Sequence, residues 1–433
     1  MKNNKKLYEK AKKIILGGNM LFSKNPENIL PDQWPTYYTK AKKNFIWSSG
    51  KKYTDFMCYV GQNVLGYSNL LIDKEVINCI KNCNITTLNC PEEVELSEQL
   101  CTLHPWAQFS KFAKTGGEAN AIAVRIARAY KNRDKIAFCG YHGWHDWYLS
   151  ANLSSKSSLN GHLVDGLSPV GVPAQLKNTL IPFKYGDIDS LRKIIKNNPD
   201  LAAVKMEVAR SSLPDVNFLK EVREITSKKN ILLIFDECTT GFRRNLGGMH
   251  LLTKVNPDIL VLGKTMGNGY PITAVLCNGK LIKKSRNCFI SSTFWSDRIG
   301  FVAALKTIKV MKKTNSWVHL INSGKHLNNE VKNIAKKNDL KISINGYESI
   351  TYFEIISKNN QEYKTFIAQE MLKNKFLATN LAYMTINHDR KLINDYSRIL
   401  NNIFVQIRRF EDGEPIKKYL KGPVIRKSFQ RLN

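Results

Sequence analysis

The run Ile259-Leu260-Val261-Leu262-Gly263-Lys264-Thr265-Met266-Gly267-Asn268-Gly269 sets a short apolar strand directly before a lysine and a flexible glycine-containing turn. A lysine there is costly to desolvate unless it is neutral, paired or covalently bound. Outward from it, between about Gly50 and Lys309, short apolar and β-branched runs alternate with longer amphipathic stretches. Lys135–Cys139, Leu201–Val208, Ile231–Phe235, Ile259–Gly263 and Thr273–Cys277 read as strands, separated by helices such as Glu118–Asn132 and Asp187–Asn197. This alternation predicts an α/β fold, a mostly parallel sheet covered by helices.

The flanks read differently. Leu7–Ile15 has helical spacing that ends at Gly17-Gly18, and Pro26, Pro31 and Pro35 predict an irregular connection after it. From about Val310, a helix near Ser316–Lys337, one strand at Ile350–Ile356 and helices near Tyr363–Lys375 and Lys391–Phe410 predict a smaller C-terminal α+β lobe. The expected division is residues 1–50, 51–309 and 310–433.

Composition excludes several classes. Among 433 residues, 43% are hydrophobic and 24% charged, which excludes a chain too polar to build a core. No apolar run approaches the ~20 residues needed to cross a bilayer, so no membrane partner is expected. Met1-Lys2-Asn3-Asn4-Lys5-Lys6 is not followed by the apolar region of a secretory signal, and a cytoplasmic protein is expected. The 9 cysteines form no C-x-x-C pair and read as reduced thiols, neither disulfides nor metal ligands. The net charge of +30 is mostly lysine spread along the chain, with no arginine before Arg125. Arginine dominates base-edge readout, so a nucleic-acid partner is not expected.

In open parallel sheets a ligand sits beyond the carboxyl ends of the strands. Four predicted strands end there in polar groups: Lys135–Cys139 runs into Gly140-Tyr141-His142-Gly143-Trp144-His145-Asp146, Leu201–Met206 ends at Glu207, Ile231–Phe235 at Asp236-Glu237, and Ile259–Gly263 at Lys264. A lysine with a lowered proton affinity can condense with the aldehyde of pyridoxal phosphate (PLP). Asp236 is then suited to the ring nitrogen. Lys114-Thr115-Gly116-Gly117-Glu118-Ala119 supplies a glycine-rich helix start for the phosphate. His142 and His145 stand beside Asp146 without the H-E-x-x-H pattern or a third ligand, so a structural role is expected and no metal.

These blocks resemble the class III (fold type I) PLP-dependent aminotransferases, and within them glutamate-1-semialdehyde 2,1-aminomutase and its relatives. The matching segments are Ala11–Gly18, Thr115–Ala119, Tyr141–Asp146, Asp236–Arg243, Gly263-Lys264 through Pro271, and Ser292-Thr293-Phe294. The resemblance implies that residues 51–309 bind PLP and that residues 1–50 join the small lobe and a homodimer. It implies that Lys264 forms the internal imine and shuttles a proton, while Asp236 pairs with the ring nitrogen. Tyr141 stacks on one ring face and Cys238 lies against the other. Thr115, Gly116 and Gly117 hold the phosphate, Thr293 reaches it from a second subunit, and His142 and Glu207 complete the surroundings.

Three positions depart from the aminomutase pattern. Gly117 replaces a threonine, Val208 replaces the proline after the pocket glutamate, and Lys24 stands where an arginine would meet the substrate carboxylate. A lysine cannot reproduce the planar fork of a guanidinium. The expected activity is therefore amino-group transfer to or within a small oxo or aldehyde substrate, with Lys24 and Glu207 as substrate residues. The alternatives are glutamate-1-semialdehyde 2,1-aminomutase proper, or a basic binding protein that keeps the fold without catalysis.

Overall fold

The computed structural model describes residues 2–162, 165–209 and 212–426. They form two compact units, residues 70–317 and a second made of residues 2–69 with 318–426.

The first unit is built on a seven-stranded sheet. Its strands are β1 (Phe109–Ala113), β2 (Lys135–Cys139), β3 (Leu180–Pro182), β4 (Leu201–Glu207), β5 (Leu232–Glu237), β6 (Ile259–Leu262) and β7 (Thr273–Cys277). Their order across the sheet is β1-β7-β6-β5-β4-β2-β3. The pairs from β6 through β3 are parallel, and β7 runs antiparallel to both of its neighbours. Thus the sheet is mostly parallel, as read from the sequence, with a single reversed strand inside one edge.

The central strands β5 and β6 are buried along their whole length, which is why they read as continuous apolar runs. The two strands absent from the sequence reading are the outermost ones. Phe109-Ser110-Lys111-Phe112-Ala113 is only half-buried and carries polar residues, and Leu180–Pro182 is three residues ending in proline. Short, polar or proline-bearing edges carry little apolar signal.

Helix Gly116–Lys131 buries Ala119, Ile122, Ala123, Val124, Ile126 and Ala127. Its first turn is closed by a capping box: Thr115 Oγ1 accepts from the Glu118 amide (3.3 Å), and Glu118 Oε2 accepts from the Thr115 amide (2.8 Å). The helix therefore starts two residues before the expected Glu118, and it ends at Asn132 in the left-handed region (φ 50°).

In the second unit, Lys40–Lys42, Phe45–Ser48 and Lys51–Asp55 form an antiparallel meander, and Phe376–Leu377 adds in parallel to Lys51–Asp55. That pairing places residues 51–69 with the C-terminal part of the chain, where the sequence reading has them in the large domain. A separate three-stranded sheet joins Ile342–Tyr347, Ile350–Ile355 and Leu381–Tyr383, where the sequence reading has one strand. The missed strands are polar (Ile-Ser-Ile-Asn-Gly-Tyr) or very short. Helix Arg390–Glu411 buries Ile393, Tyr396, Leu400, Ile403, Phe404, Ile407 and Phe410 at helical spacing.

Each unit also buries a neutral histidine. His388 Nδ1 accepts from the Thr385 amide (3.0 Å) while Nε2 donates to the Asp55 carbonyl (2.9 Å). His104 Nδ1 donates to the Leu100 carbonyl (2.8 Å) while Nε2 accepts from the Gly248 amide (3.0 Å). One nitrogen of each ring must stay unprotonated, and burial pushes both groups down to about 4. Unfolded histidine takes up its proton near pH 6.5, so the stabilisation from each is complete above that pH and lost as pH falls towards 4. Urea midpoints measured from pH 7 to 4 should fall by the equivalent of about 3 kcal/mol per histidine, and His388→Gln should flatten part of that fall.

Candidate active site

The parallel register brings the carboxyl ends of β2, β4, β5 and β6 to one side of the sheet. Glu207 lies directly opposite Asp236, and Glu237 opposite Leu262, two residues before Lys264. Lys264 itself takes a positive φ of 40° at the start of a short 3₁₀ turn, Lys264–Gly267. Its Nζ donates to Thr239 Oγ1 at 2.7 Å. Burial lowers its proton affinity, and the nearby Arg243 charge adds to this against the pull of Cys238, Glu207 and Asp236. The result is an amine biased towards its neutral, nucleophilic form.

Asp236 is 4% exposed and fully hydrogen-bonded. Asn120 Nδ2 donates to Oδ2 at 2.8 Å, His142 Nδ1 meets the same oxygen at 2.8 Å, and the Cys238 amide donates to Oδ1 at 3.0 Å. Burial alone would raise its proton affinity, but the His142 hydrogen bond and the Lys205 charge outweigh it and hold the group well below the ordinary carboxylate range. His142 Nε2 faces the Cys139 carbonyl at 3.1 Å and so carries a hydrogen. Its Nδ1 and Asp236 therefore share one further proton.

Tyr141, partly exposed, packs edge-on against Tyr148, and its amide donates to Glu207 Oε2 at 3.1 Å. Gly140 makes that approach possible: at φ 108°, an added Cβ would sit 2.4 Å from Glu207 Oε2. Cys238 forms the floor between the helix start and the lysine, because its Sγ is 3.2 Å from where a Cβ on Gly116 or on Gly263 would lie. Burial first, and Asp236 next, push its thiol well up, so it is an uncharged packing group.

At the helix start the structure divides the phosphate residues expected from the sequence. The Thr115 hydroxyl and amide are both engaged by Glu118, whereas Gly116 and Gly117 are the first helical residues, whose N–H groups have no intrahelical acceptor. The departure at Gly117 has a steric cause. A Cβ there would stand 2.7 Å from His145 Cε1 and 2.9 Å from His145 Nδ1. Thr293 opens an exposed 3₁₀ turn whose Trp295 Nε1 donates to Glu118 Oε1 at 3.0 Å. Lys24 belongs to the second unit, where its ammonium lies 4.0 Å from the centre of the Tyr59 ring.

Sequence reasoning missed Asn120, Thr239 and Lys205. Asn120 is one helical turn beyond Gly116, a spacing that puts it on the cup's own face, and Lys205 is the lone cation of an otherwise apolar strand. Among the described residues, no group of three or more His, Cys, Asp or Glu side chains is placed to hold a metal ion. No helix among them is long and apolar enough to cross a membrane.

A seven-stranded, mostly parallel sheet with a lysine, a carboxylate and a glycine-rich helix start at its carboxyl edge defines a fold type I PLP-dependent aminotransferase. The chain belongs to the class III aminotransferase family, whose model matches residues 30–381. Enzymes of this family use PLP to move amino groups between small amino and oxo compounds. The 3-aminobutyryl-CoA aminotransferase of Cloacimonas acidaminovorans is 32% identical over 356 residues, covering 80% of this chain and 82% of that protein. The glutamate-1-semialdehyde 2,1-aminomutase of Sulfurisphaera tokodaii is 31% identical over 363 residues, covering 81% and 84%. Among solved structures, the PLP internal aldimine form of the Sphingopyxis sp. FumI protein superposes with a TM-score of 0.86 at 23% identity, covering 97% of this chain and 100% of that one. A glutamate-1-semialdehyde-aminomutase from Pseudomonas aeruginosa PAO1 gives 0.80 at 16% identity, covering 93% and 94%. At such identities the structural likenesses speak for the fold alone.

The contact between position 117 and His145 is open to a direct check. Gly117→Thr should lower the urea-derived stability by about 1–3 kcal/mol through overpacking, and His145→Ala in the same chain should recover most of the loss. Additive effects of the two substitutions would show that the ring is not what keeps this position a glycine.

Proposed function

We propose that this chain catalyses amino-group transfer to or within a small oxo or aldehyde substrate, with Lys264 as the covalent attachment point of PLP. The observation that carries the reading is the Lys264 amine, desolvated and held by a single neutral hydroxyl at the end of a buried strand. An amine of that kind is suited to condensing with an aldehyde. The residues present fit the cofactor: a carboxylate kept ionised for the ring nitrogen, two unpaired helix-start amides for the phosphate, and glycines where the backbone must come close.

When bound, PLP supplies an electron sink for charge developing on the carbon next to the transferred nitrogen. The chain's own groups do the rest. Lys264 Nζ would accept a proton from that carbon and return it at the neighbouring position, as a base whose proton affinity burial has lowered. Asp236, fixed by Asn120 and His142, holds the proton of the ring nitrogen. Tyr141 would cover one face of the ring and Cys238 the other. Glu207 holds the Tyr141 backbone through its amide and lines the substrate side. Lys24 is the cation proposed for an acidic substrate group; burial lowers its proton affinity, while its contact with the Tyr59 ring favours the charged form.

The proposed active form is a homodimer in which Thr293 reaches the phosphate of the second copy. Exposed apolar side chains on this unit, among them Leu70, Leu88, Phe289 and Phe294, favour association. The nine free thiols fit a reducing, cytoplasmic setting. Lys24, a point charge rather than a fork, favours a general amino transfer over the aminomutase reaction as the main activity.

Offered an amino donor alone, the PLP-loaded protein should release oxo product in an amount equal to its active sites. Lys264→Ala should lower multiple-turnover transfer by on the order of 10³-fold or more. Offered glutamate 1-semialdehyde with no second donor, it should form little isomer. Rapid isomer formation would identify the aminomutase instead, and no product in either assay would leave the binding-protein alternative.

A further inference from the structure

Lys205 is an ionisable side chain beside this site that makes no direct contact with the groups used in the chemistry above. It sits in the middle of β4, where the sequence Leu-Ala-Ala-Val-Lys-Met-Glu is otherwise apolar up to Glu207. Its side chain is 0% exposed, and its Nζ has no hydrogen-bond partner among the described residues. Paired residues on adjacent strands share a face. Lys205 pairs with Ile234 and Glu207 with Asp236, so Lys205 projects from the same face as Asp236, one pleat below it.

The charged and titratable groups around it are few. They are Asp236 on β5, Glu207 on its own strand, Cys238 just after β5 and His142 just after β2; burial lowers the proton affinity of Lys205, and Asp236, Cys238 and Glu207 pull it back up. The side of helix Gly116–Lys131 that meets Asp236 contributes the neutral Asn120, whose Oδ1 is also buried without a partner. A fully buried cation with no direct partner is a large cost for a fold to carry. An apolar residue would fill the position without that cost.

We propose that Lys205 is a positioning residue, a buried ammonium that holds Asp236 ionised and, through Asp236, fixes the proton on the ring nitrogen of bound PLP. It does so by field and not by contact. His142 and Asp236 share one proton, and a cation one pleat away disfavours that proton on the carboxylate. The inference rests on the reading of Asp236 as the partner of the ring nitrogen. Substrate binding does not involve Lys205.

The test uses the PLP-loaded protein and the pH midpoint of its visible absorption change, compared between wild type and Lys205→Met. A neighbouring cation favours loss of the proton from the cofactor linkage, so its removal should raise the midpoint by at least about half a unit, a threefold change in the dissociation constant. Turnover should fall while the KM for the amino donor stays within twofold. Superimposable absorption titrations, with only the melting temperature changed, would overturn the proposal and reduce Lys205 to a packing residue. Should the methionine variant fail to fold, the ¹⁵N shift of Lys205 Nζ in wild-type protein decides: an ammonium signal supports the proposal, and a neutral amine overturns it. A wild type that binds no PLP would instead refute the reading of the site itself.

Discussion

The interaction on which the site depends is the desolvation of Lys264. Water would hold its amine protonated and inert as a nucleophile. The sheet withholds that water by ending β6, buried at every residue, immediately before Gly263 and the lysine. Among the described residues no carboxylate closes on Nζ, and the contact from Thr239 is a neutral hydroxyl. A salt bridge there would restore the charge that burial removes. Lys264 also takes a left-handed backbone conformation, a cost that the surrounding turn must hold in place.

Around that amine, charge is distributed by position in the sheet. Asp236 and Glu207 lie opposite one another at the ends of neighbouring strands but face different tasks. The first is buried and supplied with three donors. The second is turned towards Gly140 and the Tyr141 amide. One parallel register thus yields a buried carboxylate held below the ordinary carboxylate range and, beside it, a carboxylate spent on the backbone of the next loop. The helix start follows a different rule. The capping box uses up Thr115 and Glu118 to start the helix, and so leaves the next two amides aimed outward.

Much of this was legible in the sequence because parallel strands buried on both faces leave continuous apolar runs, and polar residues at their ends stand out. Lys264 and Asp236 could be found that way, and Gly116 through the glycine-rich helix start around it. Other parts left no such mark. The edge strands Phe109–Ala113 and Leu180–Pro182 are too polar or too short, and the strand Lys51–Asp55 gives no hint that its partner is Phe376–Leu377, more than three hundred residues away. The reason for Gly117 lies in a ring supplied by a different loop, His145, and could only be seen in space. The Thr115 hydroxyl bonds Glu118 in the capping box, a contact likewise absent from the sequence reading.

The proton affinity of one amine decides whether this site can hold an aldehyde covalently. The direct measurement is the pH dependence of amine labelling in the cofactor-free protein, followed residue by residue by mass spectrometry. Lys264 should become reactive well below the pH at which the exposed lysines do, since its neutral form is favoured by burial. Labelling of Lys264 in step with the surface lysines, with a midpoint near the ordinary lysine value of about 10.4, would contradict it.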